Sequence, residues 1–367
     1  MRIGIITYDF YPFEGGQGRH VYEIFKRVKN NSGFGFKILV FSPCKNTLKD
    51  HIQIFPIVKK FGKNLLFSFF VNVYIKKLIK RHNLDLVHFH GGPGGVFLLR
   101  KLNIPIIYTA HHTYYQQYHL VIGQKWKWIF SKLEPIQYEL ADKIICVSKD
   151  TKDILVENYR INEGKISVIP NGVDTKKFHP LRNTKRIENS ILFVGRLDER
   201  KGVDFLVKTI PLVKKEIPNV KLFVGGKGKL REELENFVKL HNLESNVKFL
   251  GFVPDEKLPK WYNQVKVVVI PSIFEGFGIT AIEAMACGTP VIGTKVPGIV
   301  DIINDGKTGL LVPSQNSKEL ANAIIRVLRD EKLRQLLCEN GRKEVTERFD
   351  WDRISQKFIN IYKGVLK

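Results

Sequence analysis

Short β-branched runs alternate with helix-period stretches along nearly the whole chain. The apolar runs are Ile3–Thr7, Lys37–Phe41, Leu86–Phe89, Ile106–Thr109, Lys143–Val147 and Ser167–Ile169, followed by Ile191–Val194, Lys221–Val224, Val247–Leu250, Val265–Ile270, Pro290–Gly293 and Leu310–Val312. Between them, Val21–Val28, Phe70–Ile79, Leu230–Leu240 and Leu320–Leu328 space their apolar residues three and four apart, the period of an amphipathic helix. Strands that are apolar throughout are buried on both faces, and their alternation with helices makes the sheets parallel. The pattern breaks at Pro170-Asn171-Gly172-Val173-Asp174, passes a polar, basic stretch from Thr175 to Ser190, and restarts. The expectation is an α/β protein of two doubly wound, Rossmann-like domains facing a central cleft. The N-terminal domain covers 1–172 and the C-terminal domain 173–350, with the polar stretch as linker. A helix over about 351–367 folds back on the first domain. Ligands of open parallel sheets bind at the carboxyl ends of the strands, so the residues to weigh are those in loops that follow strands.

Length agrees with two domains: 367 residues give each half enough chain for a core of its own. The net charge of +23 favours an anionic partner, whether nucleic acid, an anionic membrane surface or a phosphorylated substrate, without choosing among them. Cys44, Cys146, Cys287 and Cys338 lie far apart with no C-x-x-C pair, which argues against a zinc framework or disulfides and fits a reducing compartment. Met1 leads straight into a strand pattern without a charged leader and apolar run, and no apolar stretch approaches the roughly 20 residues of a membrane span. A cytoplasmic protein is expected.

Three loops carry candidate chemistry. Gly15-Gly16-Gln17-Gly18 follows the first strand, ahead of a helix beginning near Arg19; glycines let a backbone approach phosphate, and a helix start supplies free N–H groups. The plainer reading is an ordinary strand-to-helix turn. Gly195-Arg196-Leu197-Asp198-Glu199-Arg200-Lys201-Gly202 follows Ile191–Val194, and two fixed cations at a strand end suit a diphosphate. A solvated basic loop is the alternative. Finally, Glu275-Gly276-Phe277-Gly278 leads into a helix running to about Ala286, stopped by Gly288 and Pro290, with Glu283 one to two turns in. Carboxylates accept hydrogen bonds from sugar hydroxyls, and helix N–H groups bind phosphate.

These segments, with the Glu275-x7-Glu283 spacing, resemble the donor site of the large family of retaining GT-B glycosyltransferases, family four (glycosyl transferases group 1). Thr109-Ala110-His111, Val147-Ser148, Pro170–Asp174 and Asp305-Gly306-x2-Gly309-Leu310-Leu311-Val312 match in the same order, so the resemblance covers nearly the whole chain. It implies a GT-B fold and a retaining enzyme that moves a sugar from a UDP- or GDP-sugar to a hydroxyl acceptor with no cofactor and no metal. It implies that Arg196 and Lys201 neutralise the donor diphosphate, which the amides of Gly15 and Gly16 also approach. Glu275 holds sugar hydroxyls, assisted by the backbone of Gly276, Phe277 and Gly278. Ile279 and Thr280 touch phosphate, Glu283 accepts the ribose hydroxyls, His111 stands near the transferred sugar, and Phe252 and Val253 border the base. His112 and Asp301 depart from the family's commoner wording, which places an acid and a glutamate there.

His88, His90, His111, His112 and His119 invite a metal reading, but no acidic partners follow at ligand spacing, and packing and polar lining are the expected roles. Basic and aromatic residues interleave from Val58 through Lys59, Lys60, Phe61, Lys63 and Phe67 to Lys80-Arg81, and again over Lys125-Trp126-Lys127-Trp128-Ile129-Phe130. Both stretches lie in the first domain, which in the resembled family binds the acceptor. They point to a lipid-linked or glycan acceptor at an anionic membrane surface, with peripheral attachment. The alternatives are a glycogen- or sucrose-type glucosyltransferase with a soluble carbohydrate acceptor and, from another class, a non-catalytic nucleic-acid binder. No nucleic-acid motif supports the latter, so no nucleic-acid partner is expected.

Overall fold

The computed structural model describes residues 1–11, 15–30, 35–56, 63–92, 95–120, 127–182 and 184–366. Its contacts divide the chain into two units, Met1–Asn171 with Trp351–Lys367, and Gly172–Asp350. Lys59, Lys60 and Phe61 of the first basic stretch, and Lys125 and Trp126 of the second, lie outside the described residues.

The first unit runs β1 (Arg2–Ile6), α1 (Gly16–Asn30), β2 (Lys37–Ser42), β3 (His51–Gln53), α2 (Lys63–His82), β4 (Leu86–Gly91), β5 (Ile106–Ala110), α3 (Tyr114–Leu120), α4 (Trp128–Leu140), β6 (Lys143–Cys146), α5 (Lys149–Glu157) and β7 (Ile166–Val168). Its seven strands form one parallel sheet in the order β3-β2-β1-β4-β5-β6-β7. Side chains alternate across it, as a strand's period of two requires. Ile3, Ile5, Ile38, Val40, Leu86 and Ile107 face α1 and the C-terminal helix, which contributes Trp351, Ile354, Phe358 and Tyr362. Ile6, Phe41, Val87, Phe89 and Tyr108 face Phe67, Val71 and Ile75 of α2 and Tyr138 of α4. β3, unmarked in the apolar pattern, is a half-exposed edge of three residues held through β2.

The second unit runs β8 (Ser190–Val194), α6 (Val203–Glu216), β9 (Lys221–Gly225), α7 (Arg231–Leu240), β10 (Val247–Gly251), α8 (Leu258–Gln264), β11 (Val267–Ile270), α9 (Ile279–Ala286), β12 (Val291–Thr294), β13 (Leu310–Val312), α10 (Ser317–Arg329) and α11 (Glu331–Arg348); α12 (Trp351–Val365) then returns to the first. The parallel order is β10-β9-β8-β11-β12-β13. The polar stretch after Asp174 does not hang free as a linker. Phe178 is buried, Arg186 donates to the carbonyls of Val265 at 3.2 Å and Gly288 at 2.7 Å, and Asn263 accepts from the Leu181 N–H at 2.8 Å.

α4 reverses the usual polarity of a surface helix. It buries Ser131, Glu134 and Gln137 beside Tyr138 and turns Trp128, Ile129, Leu133 and Ile136 outward. Glu134 accepts from the Tyr114 N–H at 2.7 Å, the Tyr159 hydroxyl at 2.6 Å and the Tyr138 hydroxyl at 3.2 Å. Burial pushes its carboxyl up to about 7, against the pull of those three donors. A carboxyl that holds its proton more tightly when folded stabilises the fold fully below its unfolded pKa near 4.5 and loses that stabilisation as pH rises through about 7. Between pH 5 and 8 the wild type should therefore lose about 3 kcal/mol that a Glu134→Gln variant does not lose, read as the difference between their denaturant midpoints across pH. Parallel pH profiles would contradict this.

Candidate active site

The two central strands of the second sheet send the chain opposite ways, from β8 across to β9 and from β11 across to β12. Such a switch point opens a crevice at the carboxyl ends of the two strands. The two loops singled out from the sequence are the ones that leave those ends. After β8, the Asp198 side chain accepts the Lys201 N–H and so caps a single 3-10 turn, Glu199–Lys201. Gly202 closes that turn in the left-handed region, at φ 61°, and opens α6. After β11 the chain folds back so that the Ile273 N–H donates to the Arg200 carbonyl at 2.9 Å.

Where the loops meet, the Lys201 ammonium donates to Glu275 Oε1. The Ser272 hydroxyl donates to the same oxygen at 3.2 Å. The paired side chains are only 19% and 10% exposed. Burial acts against the Glu275 carboxylate, but the Lys201 ammonium and the Arg200 guanidinium outweigh it and hold its pKa below the ordinary value. Burial draws Lys201 down while Glu275 pulls it back. The lowered carboxyl is the direct mark of the contact. Since desolvation of a buried pair offsets most of its attraction, stability gives little reason for it. A ligand does: the ammonium suits phosphate oxygens and the carboxylate suits hydroxyls.

Gly278 lies at φ 95° and starts α9 without a side-chain cap. The first-turn amides of Ile279 and Thr280 have no acceptor within the helix, and the dipole there is positive, as an anion requires. The Pro297–Gly298 turn backs this loop so closely that a Cβ on Gly298 would stand 2.8 Å from the Glu275 carbonyl and 2.9 Å from the Phe277 nitrogen. Phe277 is buried, its ring 5.7 Å from that of Phe349. Gly276 and Gly278 thus hold a shape fixed from behind.

Arg196 is 66% exposed and lies 3.4 Å from Asp198, not against Glu275. Glu283 is buried in α9 and accepts from the Tyr262 hydroxyl at 2.8 Å. Phe252 is exposed with the Lys227 ammonium 5.9 Å above its ring, and Val253 packs toward Gly225. Gly15, Gly16 and His111 belong to the first unit. There α1 begins at Gly16, earlier than the periodicity predicts, and the Gly18 N–H is taken by the Asp9 carboxylate at 3.0 Å. His111 follows β5, buried, with Nε2 3.1 Å from His90 Nδ1. His112 meets Gln117 at 2.7 Å, and His119 packs on Tyr115 and Tyr118. Sequence reasoning missed Arg200, Ser272, Asp9, Tyr262 and His20. Only Arg200 carried a signal, as a third cation in the loop already marked.

Two parallel doubly wound units with a cation-and-carboxylate crevice at the second switch point define the GT-B class of glycosyltransferases. The chain belongs to the glycosyl transferases group 1: that family's model matches residues 174–344, and the model described as Glycosyltransferase Family 4 matches residues 14–177. An uncharacterized glycosyltransferase of Methanocaldococcus jannaschii is 34% identical over 363 residues, covering 96% of each chain. The GPI3 subunit of phosphatidylinositol N-acetylglucosaminyltransferase of Saccharomyces cerevisiae is 25% identical, covering 99% of this chain and 83% of its own. Among solved structures, sucrose-phosphate synthase from Thermosynechococcus elongatus superposes with a TM-score of 0.82 at 26% identity, covering 100% of this chain and 99% of its own.

Proposed function

We propose that this glycosyltransferase transfers a sugar from a UDP- or GDP-sugar, with retention of configuration, to a hydroxyl of a lipid-linked acceptor at a membrane surface. The observation that carries the donor side is the Lys201–Glu275 pair at the mouth of the α9 N-terminus. Lys201 and Arg196 neutralise the diphosphate, and the amides of Ile279 and Thr280 receive its oxygens. Glu275 and the backbone of Gly276, Phe277 and Gly278 hold the sugar, Glu283 takes the ribose, and Phe252 and Val253 border the base. In the reaction the bond between the sugar's anomeric carbon and the phosphate oxygen breaks as the acceptor oxygen bonds to the same face. The departing phosphate oxygen takes the acceptor's proton. His111 lines the acceptor side in the first unit. The charge stabilisation in this scheme is supplied by protein cations, so no metal is required at the diphosphate. The test is the anomeric configuration of the first-formed product by NMR: retention agrees, and inversion overturns the reading.

The acceptor side rests on an outward face of the first unit. α2 and α4 cover the same face of the sheet. Away from it, α2 exposes Leu66, Phe69 (61%) and Val73, and α4 exposes Trp128 (53%), Ile129, Leu133 and Ile136. α2 contains no acidic residue, and its last turns expose Lys76, Lys77, Lys80 and Arg81. Apolar side chains set among cations are the composition of a helix face that lies in an anionic interface, where each cation adds about 1 kcal/mol. Among the described residues no helix is long and apolar enough to cross a membrane. The yeast relative is named for phosphatidylinositol, which agrees with a lipid acceptor. Full-length protein should float with phosphatidylglycerol vesicles at low salt, and Phe69→Glu/Leu133→Glu should reduce binding at least tenfold. Failure of the wild type to float, or equal binding by the variant, overturns the attachment.

A further inference from the structure

The transfer scheme uses His111 but gives His20 and His90 no part. His20 lies in the second turn of α1, His90 near the end of β4, and His111 just after β5, and all three are buried. The neighbouring His88 differs from them in having both ring nitrogens satisfied, by the Tyr362 hydroxyl at 2.8 Å and the Thr109 hydroxyl at 2.7 Å. By contrast, Nε2 of His20 and Nε2 of His90 are buried without a hydrogen-bond partner. Buried polar atoms are nearly always satisfied, and an orphan costs about 1–3 kcal/mol. Two such orphans on neighbouring rings, whose centroids stand 5.6 Å apart, call for a shared partner.

We propose that His20, His90 and His111 bind one divalent transition-metal cation of the Zn²⁺ class, with Asn171 orienting His20 from behind. One ring nitrogen of each lies within 4.8 Å of one from each of the others. A Zn²⁺ held tetrahedrally at about 2.0–2.1 Å sets its ligands about 3.4 Å apart, so the outermost pair closes by about 1.4 Å on binding. His90 Nδ1 is hydrogen-bonded to His111 Nε2 at 3.1 Å, so the metal would take His90 through its orphaned Nε2 and replace that hydrogen bond at His111. His20 is set as metal-binding histidines are: Nδ1 meets Asn171 Oδ1 at 2.5 Å, donating its hydrogen to the amide oxygen and leaving the Nε2 lone pair for the metal. The ring geometry is edge to face between His20 and His111. An all-nitrogen set selects Zn²⁺, Co²⁺ or Ni²⁺ over Mg²⁺ or Ca²⁺, and three ligands leave a fourth position for water or an anion. The cation would tie α1, the ends of β4 and β5, and the last residue of the first unit together. This site does not rest on the transfer scheme, which places its cations in the second unit.

The test uses tag-free full-length protein, stripped with chelator and titrated with Co²⁺ and with Zn²⁺. The proposal expects about one equivalent retained through gel filtration, and the visible spectrum of tetrahedral Co²⁺, displaced by Zn²⁺. His20→Ala should abolish both, while His88→Gln keeps them. Asn171→Ala should weaken affinity about ten- to a hundredfold, as loss of an orienting partner does. No retained metal and no Co²⁺ spectrum in the wild type, with or without foldable variants, overturns the site and leaves water as the orphans' partner. Equal losses in His20→Ala and His88→Gln overturn the ligand assignment. Sugar transfer is not the readout, so failure here and failure of the transfer scheme are separate results.

Discussion

Replacing Lys201 by Met should lower transfer by about 100- to 1,000-fold, the cost of removing one charge-stabilising donor, and should also destabilise the second unit by about 3–5 kcal/mol. The second effect follows from the burial of the pair: without the ammonium, Glu275 keeps a desolvated charge with the Ser272 hydroxyl as a donor and Arg200 as the remaining cation nearby. Adding Glu275→Gln to Lys201→Met removes the stranded charge. The double variant should regain most of the lost stability and stay inactive, because the neutral amide and thioether can pack but supply no positive charge to the diphosphate. Denaturant unfolding and a donor-hydrolysis assay read the two quantities separately. If stability and activity return together in the double variant, the pair is a structural contact and not the donor site. If Lys201→Met is fully active, Lys201 does not touch the diphosphate.

A second large effect is expected at an uncharged position beside the pair. Gly202→Ala should destabilise the second unit by about 3 kcal/mol, combining the cost of left-handed backbone for a residue with a Cβ with the loss of one inter-loop hydrogen bond. Gly202 has φ 61°, and a Cβ there would lie 2.0 Å from the Pro271 carbonyl oxygen. That oxygen is backbone, so the only relief is to part the two loops, breaking the Ile273-to-Arg200 hydrogen bond and drawing Lys201 away from Glu275. In calorimetry the transition of this unit should fall by about 6–12 °C, and donor binding should weaken in the same variant. A transition unchanged within about 2 °C would mean that the loops are not locked at this point.

The sheets and the two strand-end loops of the candidate site were legible in the chain because their signals are local. Apolar runs mark doubly covered strands, and Gly195–Gly202 and Glu275–Glu283 each lie within one strand-loop-helix step. Less was legible where the deciding contact joins distant segments. His20 reaches His90 and His111 only because α1 packs across the ends of β4 and β5, and no spacing in the sequence records that. Asp9 closing on Gly18, and Tyr262 on Glu283, are likewise products of the fold. β3 escaped because three half-exposed residues give no period. α4 shows a different limit. Its outward residues are apolar and its inward ones polar, so apolar periodicity points to the wrong face, and only the Tyr114, Tyr138 and Tyr159 donors around Glu134 show which side is the core.

The transfer scheme requires the second unit's switch point to be a nucleotide-sugar site. Thermal unfolding of the wild type and of Lys201→Met/Glu275→Gln, each with a panel of UDP- and GDP-sugars, tests it most directly. At about 100 times its dissociation constant a bound donor stabilises by about 2.7 kcal/mol. At least one nucleotide-sugar should raise the wild-type transition by the corresponding amount and leave the folded double variant unmoved. A wild type unmoved by every nucleotide-sugar, or a double variant shifted as far as the wild type, would contradict it.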